Sequence, residues 1–217
     1  KDIIAMETSN IIITVGRQLG SGGREIASLL AQRLGYKMYD SELLNLAAKE
    51  SGLCERLFER NDEQKAFSKS FFRYNLPLIG GGHGMFQNEL SQDTLFKFQS
   101  EAIVKAAEAN HCVFVGRCAD YILRDAPHLL SLFVTANIEE RVQRVMQRLQ
   151  CDEKKAATIV REGDERRAAY YEFYTGKAWG LGSSYDLCVN SSVLGIADTA
   201  DILCQFIEAK FSKPCDE

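Results

Sequence analysis

No apolar run in the 217 residues approaches the roughly 18 needed to span a bilayer. The opening stretch KDIIAMETSN has no apolar core of the signal-peptide kind, so a cytoplasmic location is expected, with no membrane partner. Basic excess is missing as well. With 26 Lys and Arg against 30 Asp and Glu, the net charge is −4 and the pI about 5.6. That balance argues against a general nucleic-acid binder but leaves room for a local basic pocket. The seven cysteines, at positions 54, 112, 118, 151, 188, 204 and 215, contain no C-x-x-C pair. Their scatter and odd number suggest neither a zinc site nor a disulfide framework, and no metal site is expected from protein ligands alone. Most read as small core hydrophobes. Internal repeats and low-complexity segments are also lacking. What remains is an ordinary globular composition, 46% hydrophobic and 26% charged, long enough to bury a full core. One domain over 1–217 is the economical reading.

The chain is organised around Ile11 to Leu34, IIITVGRQLGSGGREIASLLAQRL. Ile11, Ile12, Ile13 and Val15 are mostly β-branched and read as a buried strand. Gly16, Gly20, Ser21, Gly22 and Gly23 follow. Then Ile26, Leu29, Leu30 and Leu34 recur at helical spacing, on one face of a helix that Gly35 stops. A loop between a strand's carboxyl end and a helix's amino end presents unpaired N–H groups and the positive end of the helix dipole, which suits phosphate. The standard phosphate-loop motif, G-x-x-x-x-G-K-[ST], is not spelled here, because Gly23 stands where the lysine belongs. The nearest cations are Arg17 before the glycines and Arg24 after them. Guanidinium is itself a good phosphate partner. The competing reading is a tight glycine turn without a ligand.

Tyr36 to Ser51 predicts a short extended piece and a helix capped by Asp40 or Ser41. From Gly52 to Gln92 the pattern loosens into a helical excursion ending in the glycine run Gly80 to Gly84, whose His83 reads as a solvated loop residue rather than a base. Ser91 to Asn110 predicts a helix. Cys112 to Val115 and Leu129 to Val134 predict buried strands, the first ending at Gly116 and Arg117, where open parallel sheets bind ligands. Asn137 and Glu140 resemble a capping box opening a helix towards Leu149. Asp152 to Tyr170 predicts one charged helix or two. Spacings of three put Arg161, Asp164 and Arg167 near one face, either converging on an anion or forming ordinary surface ion pairs. The aromatic stretch Tyr170 to Trp179 reads as packing more readily than as a base-stacking surface. Tyr185 to Asn190 predicts the last strand, and Ala197 to Phe211 a closing helix with Ile202, Leu203, Phe206 and Ile207 inward. Strands followed directly by helices predict an α/β fold with a parallel sheet covered on both faces.

Five segments, GRQLGSGGREIA, YDSELL, VGRCADYIL, DERRAAYYEFYTGKAW and YDLCVNSS, together resemble the cytidylate kinase-like family of P-loop nucleoside monophosphate kinases, from Ile11 to about Ile207. The resemblance implies a three-layer P-loop kinase fold with a helical acceptor-binding insertion over 41–92 and an arginine-bearing lid over 150–180. It also implies ATP and Mg2+ as cofactors and nucleotides as substrates. On that likeness Gly20, Ser21, Gly22, Gly23 and Arg24, with Arg17 and Glu25 beside them, form the donor-phosphate loop. Asp40, Ser41, Gly116, Arg117, Arg161, Asp164 and Arg167 would bind the acceptor, and Arg24, Arg117 and Arg167 would carry the catalysis. Magnesium would come mainly with the nucleotide, helped through water by Ser21, Glu25 or Asp120. Three features depart from cytidylate kinases proper: Gly23 for the loop lysine, Asn45 and Leu46 for a Y-R pair, and Val115-Gly116-Arg117-Cys118 for D-G-R-D. The function implied is phosphoryl transfer from ATP to a CMP-like nucleoside monophosphate or another small phosphate acceptor. The alternative is a catalytically weak nucleotide-binding or sensing protein with a degenerate loop.

Overall fold

The computed structural model describes residues 9–40 and 89–212. Ser41, the helix expected after it, His83 and the Gly80 to Gly84 run lie outside the described residues, as do Asn45 and Leu46. Among the described residues, five strands form one parallel sheet: β1 (Ile12–Arg17), β2 (Lys37–Tyr39), β3 (Cys112–Val115), β4 (Leu129–Thr135) and β5 (Leu187–Asn190). The order is β2-β3-β1-β4-β5, every pairing parallel, with β1 in the middle. Val15 pairs with Val115 on one side and Leu132 on the other, so the carboxyl ends of β1, β3 and β4 share one edge.

The strands are apolar in nearly every position because both faces are covered. Ile13, Val15, Val113, Val115, Leu130, Leu132 and Val134 face α1 (Gly23–Leu34) and α6 (Gly195–Phe211), meeting Ile26, Leu30, Leu203 and Ile207. Ile12, Cys112 and Phe114 face the other way, onto Ile103 and Ala107 of α2 (Glu89–Ala109) and Ala119 and Leu123 in and after the short α3 (Ala119–Ile122). Among these, Cys112 and also Cys118 are buried thiols pushed up to about 12 by desolvation, in keeping with core hydrophobes. A third cluster joins α4 (Ile138–Leu149) to α5 (Glu153–Thr175): Val142 and Val145 pack on Ala156, Ile159 and Val160, with Leu19 of the glycine loop against them.

Local chemistry sets the boundaries. Gly35 ends α1 in the left-handed region, φ 69°, its N–H donating to the Ala31 carbonyl. Asp152 caps α5, accepting from Lys155 N–H at 2.8 Å, and the charged segment is one helix of 23 residues. Two expectations are corrected. Ile202 and Phe206 are 50% and 38% exposed, because neighbours in a helix point about 100° apart and the buried line is Thr199, Ala200, Leu203 and Ile207. Asn137 sits at the start of α4 but forms no capping box. Its Oδ1 accepts from Asn190 Nδ2 at 3.1 Å, while Glu140 pairs with Arg144.

Candidate phosphate-binding site

Between β1 and α1 the chain runs through Gln18 to Gly22, with Gly20 and Gly22 at φ 78° and 77°. Gly20 needs its freedom twice over, since a Cβ there would also lie 2.6 Å from the Arg141 backbone oxygen. Five successive carbonyls from Arg17 to Ser21 are each met by a side chain. Arg167 Nη1 donates to Arg17 O (3.1 Å), Ser21 Oγ to Gln18 O (2.9 Å), Arg141 Nε to Leu19 O (2.9 Å), Arg144 Nη1 to Gly20 O (3.1 Å) and Ser191 Oγ to Ser21 O (2.6 Å). Asp164 completes the bracing: its Oδ1 accepts from Leu19 N–H at 2.7 Å and its Oδ2 pairs with Arg141 Nη2. With the carbonyls held by these donors, the N–H groups of Gly20, Gly22 and Gly23 meet no acceptor among the described residues. α1 also begins without a side-chain cap. Open amides at a helix amino terminus are an anion site.

Cations gather beside it. Burial, with Arg167 and Arg117 nearby, pushes the Arg17 guanidinium down to about 9, and Asp40 works in the opposite direction. It stays charged at pH 7. Arg167 is likewise lowered to about 10, chiefly by burial. Gly116, Arg117 and Cys118 all take positive φ (70°, 59°, 56°), a sparsely populated conformation for the two side-chain-bearing residues that aims Arg117 over the Tyr170 ring at 5.8 Å. Arg24 projects from the first turn of α1 and donates to Asp40 Oδ2 at 2.7 Å. The structure therefore brings Arg17, Arg24, Asp40, Arg117 and Arg167 to the glycine loop's edge of the sheet. Arg161 is exposed and pairs with Glu165 at 3.1 Å. Asp164 braces the loop, and Glu25 is exposed in the first turn of α1.

Next to Arg117 lies a half-buried polar and aromatic wall. Tyr171 donates to Asp120 Oδ2 at 2.6 Å, and burial raises the Asp120 carboxyl above its ordinary range. Phe96 stacks on Tyr174 at 3.9 Å, with Tyr170 against both, tying α5 to α2. This part of the aromatic stretch is packing. Arg141 and Arg144 carry no motif that singles them out from sequence, their one signal being that they lie a turn apart after the strand β4, whereas Ser191 lies in the segment YDLCVNSS without having been named as a site residue.

ATP phosphates fit what is present: open amides, left-handed glycines and several guanidinium groups. A protein cage for magnesium does not. No group of three or more His, Cys, Asp or Glu converges among the described residues, and the Ser21 hydroxyl is buried on Gln18 O. The ion would arrive with the nucleotide.

The sequence model of the cytidylate kinase-like family matches residues 12–193. Among solved structures, an uncharacterized protein from Eubacterium ventriosum ATCC 27560 is 28% identical, with a TM-score of 0.70, covering 92% of this chain and 99% of that one. TT1252 from Thermus thermophilus is 19% identical at TM-score 0.53, covering 95% and 100%. A shikimate kinase from Bacteroides thetaiotaomicron is 12% identical at TM-score 0.50, covering 94% and 99%. The last two likenesses speak to the fold alone. No curated protein matches. No described helix is long and apolar enough to cross a membrane.

Proposed function

The chain belongs to the cytidylate kinase-like family, and from that premise we propose that it transfers the γ-phosphoryl group of ATP to a CMP-like nucleoside monophosphate or another small phosphate acceptor. The observation that carries this reading is the run of five outward-held carbonyls, with open amides and four arginines beside it. Phosphoryl transfer needs little covalent help from protein; it is positioning and charge neutralisation. The amides of Gly20, Gly22 and Gly23, with Arg17 and Arg24, hold the donor phosphates, while Ser21 shapes the loop from within. Glu25, exposed in the first turn of α1, would help hold the nucleotide's magnesium ion through water. When bound, magnesium neutralises the β- and γ-oxygens. Arg117 and Arg167 clamp the acceptor between Asp40, Ser41 and Gly116. A phosphate oxygen is already a nucleophile, so no protein base is required. The 150–180 segment, with Arg161 and Asp164, acts as the lid that excludes water, and 41–92 as the acceptor-binding segment. A cytoplasmic location belongs to the same proposal.

A second reading has a specific observation behind it. Gly23 replaces the lysine and Cys118 replaces a carboxylate, as in a protein that binds nucleotide but turns it over poorly. An ADP-release assay across a panel of nucleoside monophosphates separates the two. Acceptor-dependent ADP formation is expected; MgATP binding without turnover on any acceptor would leave the sensing function standing alone.

A further inference from the structure

We propose that Arg17, the last residue of β1, supplies the donor-phosphate cation that the standard motif delivers from position 23, and that Gly23 is a glycine because the Arg17 side chain runs through its space. The inference rests on reading the loop as a site for nucleotide phosphates.

A Cβ on residue 23 would lie 2.5 Å from Arg17 Cβ, 3.1 Å from its Cγ and 3.2 Å from Val134 Cβ. These are atoms at or near the roots of side chains, so none can swing aside cheaply. A Cβ on residue 116 would lie 1.9 Å from Arg17 Nη1. The side chain thus crosses the amino end of α1 and extends to the turn after β3, spanning the interval between the loop and Arg117. Its backbone carbonyl accepts from Arg167 Nη1, which ties that root to α5. A cation from position 17 and one from position 23 are mutually exclusive here. The departure at Gly23 is therefore the other half of an exchange, in which a flexible point charge gives way to a planar fork able to meet two phosphate oxygens at once. The guanidinium stands among like charges with Asp40 as the acidic group beside them. An arriving phosphate relieves that crowding.

The exchange is tested by calorimetric titration with MgATP and with inorganic tripolyphosphate, thermal melting being recorded for each variant. Arg17→Met keeps an apolar stem over Gly23 and removes the guanidinium. It is expected to keep its melting temperature within a few degrees and to weaken MgATP binding by at least about tenfold, the scale of one charge-assisted contact. Gly23→Lys alone is expected to melt lower and bind weakly. Combining Arg17→Gly with Gly23→Lys, which removes the Cβ that would stand 2.5 Å from a side chain at position 23, is expected to restore affinity to within about threefold, with one cation returned for the one removed. An Arg17→Met chain that binds as tightly as the unaltered one overturns the inference, as does a double variant no better than Arg17→Gly. An unaltered chain that binds neither probe overturns the nucleotide reading itself.

Discussion

Removing the Asp164 carboxylate perturbs the bracing of the glycine loop most directly. In Asp164→Ala, Arg141 keeps its bond to Leu19 O but loses its ion-pair partner while its side chain is only 7% exposed, and Leu19 N–H loses its acceptor. Breaking one side of a buried pair costs about 3–5 kcal/mol, and an orphaned buried amide about 1–3 kcal/mol, the two being non-additive. Because Asp164 is 18% exposed and water can reach the vacated site, the lower end applies, about 3 kcal/mol. For a chain of this size each kcal/mol moves the melting temperature by about 2–4 °C, so a fall of about 6–12 °C is expected by calorimetry or circular dichroism. Adding Arg141→Met removes the stranded charge and should recover at least about 1 kcal/mol, a coupling typical of residues in direct contact. A single variant that melts within about 2 °C of the parent, or a double variant that shows the full sum of two independent losses, refutes the bracing argument.

Three further outcomes follow from the same geometry. Arg167→Ala should lower turnover by at least about tenfold while moving the melting temperature by only a few degrees, since it removes a charge from the cluster and one backbone contact; large destabilisation with normal turnover would make Arg167 structural. Asp120→Asn should gain stability relative to the parent as pH rises. The parent's raised carboxyl pKa means that its folded state binds more protons than the unfolded chain, so stability is lost as pH climbs through the folded value, and the asparagine has no such loss. Melting curves from pH 4 to 8 check the sign, and a difference moving the other way removes the burial explanation. Inorganic tripolyphosphate at about 100 times its dissociation constant should stabilise the parent by about 2.7 kcal/mol; no shift in melting at saturating concentrations would show that the arginine cluster does not hold phosphate.

Much of the core was legible because it is local. The β-branched run of β1 and the stop at Gly35 each act within a few residues, and periodicity gave Ile26 and Leu30 of the buried line of α1, with Leu29 and Leu34 half-buried beside it and Ala27 and Ala31 completing it. α6 was misread at Ile202 and Phe206 because four apolar residues in adjacent pairs look alike on paper, although a helix buries one member of each pair. The Asn137 box failed for a different reason: Asn190, 53 positions away, reaches the same oxygen. Long separations also hid the site's wiring. Arg17 is 99 positions from Gly116 in sequence, but its guanidinium ends against that glycine, at the end of the neighbouring strand β3. Asp164 looked like an acceptor-pocket residue by likeness, and its engagement with Leu19 and Arg141 depends on how α5 crosses the loop. The resemblance supplied the fold and the list of candidates; which arginine stands where is a matter of packing that no spacing rule contains.

The central claim, that this loop holds nucleotide phosphates with Arg17 as its cation, is tested most directly by a crystal structure of the chain with magnesium and ADP. The β-phosphate is expected on the amides of Gly20, Gly22 and Gly23, with a guanidinium nitrogen of Arg17 about 2.7–2.9 Å from one of its oxygens. A β-phosphate bound elsewhere, or seated in the loop with Arg17 turned away and another cation in its place, would contradict it.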